Sequence, residues 1–98
     1  MKTFKIDENR KYVCKTVHYH DTSGYERWLE YDDKGNEIHH RNNRGFETWK
    51  EYDVKGNQIY YRNSDGYETW KEYDDKGNEI HYRDNRGFES WTEYDDIE

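Results

Sequence analysis

The chain has 98 residues, of which 40% are charged and only 30% hydrophobic, proportions that by themselves are typical of disordered proteins. Eleven Tyr, four Trp and three Phe can nevertheless supply a core, because each aromatic side chain buries a large area. The net charge of −7 argues against sequence-independent binding of nucleic acid and permits attraction to a basic partner. No apolar run resembles a transmembrane helix or a signal peptide, so we expect a cytoplasmic protein without membrane contacts.

Residues 1–23 precede the regular part of the sequence and contain two strand-like segments, TFKI at 3–6 and YVCKTVHYH at 12–20. We predict that they form a hairpin that caps the sheet built by the rest of the chain. Cys14 is the single cysteine, so the sequence offers no internal disulfide and no thiolate metal cluster. A lone thiol without an adjacent base is not expected to be catalytic.

A 21-residue cassette repeats through the rest of the chain. The positions that keep this step are Gly24, Gly45, Gly66 and Gly87, Trp28, Trp49, Trp70 and Trp91, Tyr31, Tyr52, Tyr73 and Tyr94, and Ile38, Ile59 and Ile80. We assign full repeats to residues 24–44, 45–65 and 66–86 and a terminal half-repeat to residues 87–98. The whole chain is then one repeat domain.

Each repeat carries two turn signals, separated by runs rich in Tyr, Trp, Thr and Ile that are typical of strands. DDKGN at 32–36 predicts a three-residue hairpin loop, a type I turn followed by a glycine in the left-handed region. The second turn contains Asp-Gly at 65–66 and predicts a two-residue loop, which in the first repeat pairs Asn43 with Phe46. One odd and one even loop account for the 21-residue step without moving successive tryptophans to opposite faces.

These signals predict an all-β fold: a single antiparallel meander of about nine strands, built from 21-residue β-hairpin repeats and twisted or curled, with an aromatic ladder on one face. The predicted ladder comprises Tyr19, Trp28, His40, Trp49, Tyr61, Trp70, Tyr82 and Trp91. The predicted solvent-facing row on the other face comprises Arg27, Arg41, Thr48, Arg62, Thr69, Arg83 and Ser90. Because an aromatic face must be covered, we expect the sheet to curl over itself or to meet a second copy.

The cassette GYETWKEYDDKGNEI at 66–80 resembles the YD repeat of Rhs-type and teneurin-like proteins, in which Gly and an aromatic-x-Tyr-Asp-x-x-Gly-Asn motif precede an aliphatic residue. This resemblance implies a spiralling β-sheet that serves as a shell or scaffold, although the chain is too short to enclose a cargo. IYYRNSDGYETW at 59–70 resembles the choline- and glucan-binding repeats of cell-wall proteins. That resemblance implies ligands held in aromatic cages between hairpins.

The histidines and carboxylates do not predict a catalytic or metal site. His18 and His20 are two residues apart on one predicted strand, but no third ligand converges on them, so we predict no metal. Carboxylates such as Glu30 and Glu51 recur identically along the sheet, whereas catalysis needs a unique constellation of unlike environments. We therefore predict no enzyme, no catalytic residue and no cofactor.

The Lys-Gly-Asn turns all fall on one edge of the predicted sheet and bring aspartates together there. The members of this acidic edge are Asp32, Asp33, Asp53, Asp74, Asp75, Asp95 and Asp96. One interpretation is that the turns are simply charged and solvated; the functional interpretation is a ridge that docks on a basic groove.

Three hypotheses for function follow. The first is a non-enzymatic protein-binding module, a small acidic antagonist of the kind that phages and mobile elements encode, which docks on a basic surface of a nucleic-acid-handling protein without contacting nucleic acid itself. The alternative is a glycan- or choline-binding module of the cell-wall type, with an aromatic site at Tyr61, Trp70 and Tyr82. The third is a structural scaffold that forms homo-oligomers through its aromatic face. The lack of a secretion signal favours the first hypothesis over the second.

Overall fold

The computed structural model describes residues 5–6 and 12–95, and the described residues form strands and turns with no helix. The strands are β1 (Lys5–Ile6), β2 (Tyr12–Val13), β3 (Lys15–His20), β4 (Glu26–Tyr31), β5 (Glu37–Asn42), β6 (Glu47–Tyr52), β7 (Gln58–Asn63), β8 (Glu68–Tyr73), β9 (Glu79–Asp84) and β10 (Glu89–Trp91). Strands β3 to β10 form one antiparallel sheet in which each strand pairs with its neighbours in the chain, and β1 pairs with β2 separately. The predicted all-β meander is confirmed, with eight strands in its main sheet.

Every connection in the main sheet is the same three-residue turn. At residues 32–36 the amide of Asp32 donates to the carbonyl of Asn36 at 2.9 Å, and the turn glycine has φ of 85°. This first turn is as predicted. The second turn is not a two-residue loop, because the amide of Asn42, rather than Asn43, donates to the carbonyl of Phe46 at 3.0 Å. The reason is the Asn42 side chain, which accepts from the amides of Arg44 and Phe46 and thereby organises the longer loop.

A β-bulge, rather than unequal turns, supplies the odd residue of each repeat. Glu30 faces His39 but Tyr31 faces Glu37, so Ile38 is an extra residue in β5. The same shift recurs in the pairing of β6 with β7 and of β8 with β9. Two equal turns would advance the chain by an even number of residues, and the bulge restores the odd step that keeps the tryptophans on one face.

The register differs from the predicted one in the partners of the tryptophans. All four tryptophans do share a face, here called the tryptophan face, but Trp28 is opposite Arg41 and not His40. The side chains predicted to complete the ladder lie on the other face, here called the tyrosine face, where Tyr61 is opposite Thr69. Four side chains predicted for the same face as the tryptophans lie on the tyrosine face: Tyr19, His40, Tyr61 and Tyr82. Three arginines predicted for the opposite face lie on the tryptophan face: Arg41, Arg62 and Arg83.

Few of the described side chains are buried, and several of those that are lie on the tyrosine face. Leu29, Thr48 and Thr69 are buried there, although both threonines were predicted to face solvent. Tyrosines near the bulges lie across the strands: the hydroxyl of Tyr52 donates to the carbonyl of Glu37 at 2.8 Å, and the same bond recurs one and two repeats later. The single sheet therefore gains its stability mainly from half-buried aromatic side chains and cross-strand polar contacts.

Because every turn depends on a left-handed glycine, we expect Gly56→Ala to lower the free energy of unfolding by about 1–2 kcal/mol. Gly56 has φ of 90°, and a Cβ there meets no atom within 4 Å, so the cost is confined to the backbone. Urea denaturation measures the effect. Gly56→Asn serves as the control, because asparagine tolerates this region and should lose less stability. Wild-type stability in the alanine variant would contradict the turn assignment.

Candidate functional site

The first aspartate of each Lys-Gly-Asn turn is fixed by the turn itself. One carboxylate oxygen of Asp53, Oδ1, accepts from the amides of Lys55 and Asn57, each at 2.9 Å, and Oδ2 accepts from the Asn57 side chain at 3.2 Å. Asp32 and Asp74 make the same three bonds. In the case of Asp53 the amide of Asn57 contributes most to lowering the carboxyl pKa below its usual value. The pKa of Asp74 is lowered in the same way by the equivalent amide, so both side chains stay ionised near neutral pH.

The structure brings the described members of the acidic edge to one side of the sheet. Asp33 and Asp75 lie exposed at turn tips, and Asp95 lies exposed beyond Tyr94. Asp96 lies outside the described residues. The turns that carry Asp32, Asp53 and Asp74 follow every second strand along that side.

Lysines lie between these carboxylates, a feature that the sequence reasoning did not weigh. The Lys34 ammonium donates to the carbonyl of Val54 in the next turn at 3.4 Å, and Lys55 reaches the carbonyl of Asp75 at 3.0 Å. Each lysine thus ties one turn to its successor. The acidic edge therefore alternates fixed carboxylates with ammonium groups that point along the edge.

Each inner tryptophan has a cation on one side and an aromatic ring on the other. The guanidinium carbon of Arg62 lies 3.8 Å from the centroid of the Trp49 ring, and the His39 ring stacks on the other side at 5.5 Å. Trp28 and Trp70 each have an arginine at 4.1 Å; the His18 ring stacks on Trp28 at 4.9 Å, whereas the Tyr60 ring lies tilted beside Trp70 at 5.8 Å. These contacts cover the ring faces that stacking on a sugar or a quaternary amine would require.

Glutamates link the rings of the tryptophan face to neighbouring strands. Nδ1 of His39 lies 3.0 Å from Glu30, and Nε2 lies 2.6 Å from Glu47. Tyr60, which replaces histidine in the next repeat, donates its hydroxyl to Glu68 at 2.5 Å. Burial, together with this bond to the Glu68 carboxylate, raises the pKa of Tyr60 to about 12. Within the part of the chain that the structure describes, no three His, Cys, Asp or Glu side chains form a metal-binding group.

The structure does not bring the predicted aromatic site together. Tyr61 and Tyr82 lie on the tyrosine face, whereas Trp70 lies on the tryptophan face. Tyr82 instead contacts Tyr67, with their hydroxyl oxygens 2.7 Å apart. This hydrogen bond is the largest cause of a Tyr82 pKa raised to about 12. Tyr61, Tyr67 and Tyr82 thus form an aromatic cluster near the turn at residues 63–67, with a hydrogen bond between Tyr67 and Tyr82.

The sequence reasoning also missed the contacts that join turns on the edge opposite the acidic edge, here called the clamp edge. The Asn85 amide donates to the carbonyl of Glu68 at 3.1 Å, its Oδ1 accepts from the Glu68 amide at 3.0 Å, and its Nδ2 donates to the carbonyl of Gly66. Two repeats earlier, Asn43 makes the same bonds to Glu26 and Gly24. In the repeat between them, the hydroxyl of Ser64 accepts from the amide of Glu47. The signal was present, because these three clamp residues are 21 residues apart.

No protein-family model matches the chain, and a search of the curated proteins finds no significant relative. The likeness to YD repeats and to choline- and glucan-binding repeats therefore rests on the sequence motifs alone. Among the described residues there is no helix long and apolar enough to cross a membrane.

We expect the tryptophan contacts to dominate stability. Trp49→Ala should lower the free energy of unfolding by about 3 kcal/mol, because it removes a half-buried ring with partners on both sides. Trp91→Ala provides the matched control: its ring is 69% exposed, so in dilute solution the loss should be below about 1 kcal/mol. Denaturation followed by circular dichroism measures both values. Equal losses in the two variants would contradict this account.

A second prediction concerns Tyr60 in alkaline solution. Its pKa is higher in the folded chain, about 12, than the ordinary value of 10.0, so folding favours the neutral phenol. The stability from this group should be fully present below pH 10 and should decline as the pH rises toward 12. Urea midpoints of the wild type and of Tyr60→Phe should therefore converge over this range. A constant difference between them would show that the phenol does not titrate as described.

Proposed function

We propose that the chain is a non-enzymatic protein-binding module that presents its acidic edge to a basic surface on a protein partner. The observation that carries this proposal is the hydrogen bonding that holds the carboxylates of Asp32, Asp53 and Asp74 in the same turn geometry. Two strand spacings separate successive turns, a distance of about 9–10 Å. A row of charges that is already ordered loses little conformational entropy on binding, so it suits electrostatic recognition.

We propose further that the partner is a nucleic-acid-handling protein and that the chain acts in the cytoplasm as an antagonist of the kind encoded by phages and mobile elements. Surfaces that bind a phosphate backbone are rich in Lys and Arg, and an acidic edge complements them. The spacing of the acidic turns is wider than that of successive phosphates, which favours a match to separated basic residues on a protein. In this proposal the chain contacts neither nucleic acid nor membrane.

The other two hypotheses have less support. Glycan or choline binding at Tyr61, Trp70 and Tyr82 would need side chains that project from opposite faces of the sheet. Self-association through the aromatic face would need free tryptophan rings, but Trp28, Trp49 and Trp70 each have an arginine against the ring.

The test is a triple variant, Asp32→Asn/Asp53→Asn/Asp74→Asn, which removes charge and keeps the turns. Asparagine can serve in this position because Asn42 and Asn63 already do so in the native turns. We expect a slightly lower melting temperature, because asparagine cannot accept the bond that the side chain of Asn36, Asn57 or Asn78 donates to the second carboxylate oxygen. Partner binding should weaken roughly tenfold, since exposed ion pairs contribute modestly. Affinity capture from cells, followed by titration of the captured protein, measures the binding, which should also weaken with added salt.

The matched control is Asp21→Asn/Asp65→Asn/Asp84→Asn, which removes the same amount of charge from the clamp edge. We expect this variant to bind like the wild type. Equal weakening in both triple variants would mean that only net charge matters, and undiminished binding at low salt in the acidic-edge variant would refute the proposal. Choline or glucan binding by the wild type that survives high salt, but is lost in a Trp70→Ala variant that circular dichroism shows to be folded, would instead support the glycan or choline alternative.

A further inference from the structure

The two outermost strands of the main sheet, β3 and β10, each pair with one neighbour among the described residues. An edge strand presents a row of N–H and C=O groups that can pair with another chain. Strand β1 lies beside β2, opposite Tyr12–Val13, and so leaves Lys15–His20 open within the described part of the chain. Both outer strands, β3 and β10, are therefore candidates for pairing with a strand of another chain.

Strand β3 has the register of an inner strand. His18 is opposite Trp28 and stacks on it at 4.9 Å, as His39 is opposite Trp49 one repeat later. Residues Thr16 to His20 of β3 therefore correspond to the residues 21 positions later, Glu37 to Arg41 of β5. The outer side of β3 must then present to solvent the groups that β5 presents to β4.

The outward groups of β3 include counterparts of Arg41 and of the clamp residue Asn43. Arg41, which covers Trp28, corresponds to His20, an exposed side chain that can stack on an indole ring. Asn43, the clamp residue that follows β5, corresponds to Thr22. A hydroxyl serves in that position in the native sheet, because Ser64 accepts the amide of the neighbouring strand at 3.0 Å. The outer side of β3 is thus equipped to bind the strand that carries a tryptophan.

Strand β10 presents the complementary half of this contact. Trp91 stacks on His81 at 5.3 Å but is 69% exposed, and within the described residues no arginine covers its second side. Glu89 corresponds to Glu47, whose amide and carbonyl both bind the clamp residue of the next strand. By the alternation of backbone groups, the amide and carbonyl of Glu89 face the open edge. β10 also has only three residues, whereas β8, which has a similar sequence, has six.

We propose that copies of this chain associate head to tail, with β3 of one copy pairing antiparallel with β10 of the next and continuing the register of the repeat. His20 of one copy then covers Trp91 of the other, and Thr22 binds the backbone of Glu89. The same register sets His18 against Glu93, as His39 meets Glu30 within the sheet. This contact is heterologous, so it propagates into open chains or closed rings. It does not depend on the proposed partner, because none of these residues belongs to the acidic edge.

The test uses Thr22→Pro. Thr22 occupies the second position of a type I turn, where proline is favoured, so the variant keeps its turn but loses both the amide and the hydroxyl. Analytical ultracentrifugation should show wild-type species larger than the 12.3 kDa monomer at about 100 μM and a Thr22→Pro association at least about tenfold weaker. Val54→Pro is the control: it makes the same change at an exposed turn on the acidic edge and should associate like the wild type. A wild type that stays monomeric at this concentration would overturn the proposal.

A mixing experiment establishes the polarity of the contact. Glu89→Pro removes the outward amide of β10, and proline is tolerated on an edge strand where its nitrogen faces solvent. Thr22→Pro retains β10 and Glu89→Pro retains β3, so each variant alone should associate at least about tenfold more weakly than the wild type, while their mixture forms a 1:1 dimer and nothing larger. Circular dichroism of each variant verifies its fold. Association of Thr22→Pro with itself at the wild-type level, or no dimer from two folded variants, would refute head-to-tail pairing.

Discussion

The structure depends on one local interaction, the side-chain carbonyl or carboxylate oxygen that closes each hairpin turn. An Asp or Asn at the first turn position accepts two backbone amides, and a glycine with positive φ completes the loop. This unit recurs at every connection of the main sheet, at alternating intervals of 11 and 10 residues along the chain. Strand length, register and the two rows of turns follow from that spacing, because a hairpin turn determines which residues face each other.

Cross-strand contacts take the place of an aliphatic core. Few of the described side chains are buried, and on the tryptophan face each inner tryptophan lies between an arginine and the ring of a histidine or, at Trp70, a tyrosine. Such contacts combine cation–π attraction with the area that an indole ring buries against neighbouring strands. A chain with many charged residues can fold in this way because its charges contact rings or one another. This also explains why the tryptophan rings are poor candidates for ligand stacking.

The two long edges of the sheet have different chemistry, although both consist of the same turn. On the acidic edge, lysines reach from one turn to the next and leave the carboxylates ordered. On the clamp edge, Asn43, Ser64 and Asn85 bind the preceding turn through backbone and side chain together. Both rows of turns therefore hold successive repeats together, and the acidic edge in addition presents its ordered carboxylates. We propose that the acidic edge recognises a partner and that β3 and β10 continue the sheet into further copies of the chain.

The sequence by itself determined the all-β meander, the 21-residue repeat, the geometry of the Lys-Gly-Asn turns and the common face of the tryptophans, because these depend on local turn chemistry and a regular step. Only the tertiary structure decided the register between hairpins. Asp-Gly at 65–66 is compatible with a two-residue loop, and an odd step can arise from unequal turns or from a bulge; the capping by Asn63 and the bulge at Ile59 decided between them. That difference of one residue moved Tyr61 and Tyr82 away from Trp70 and set Arg62 against Trp49, because neighbouring residues on a strand face opposite sides of the sheet.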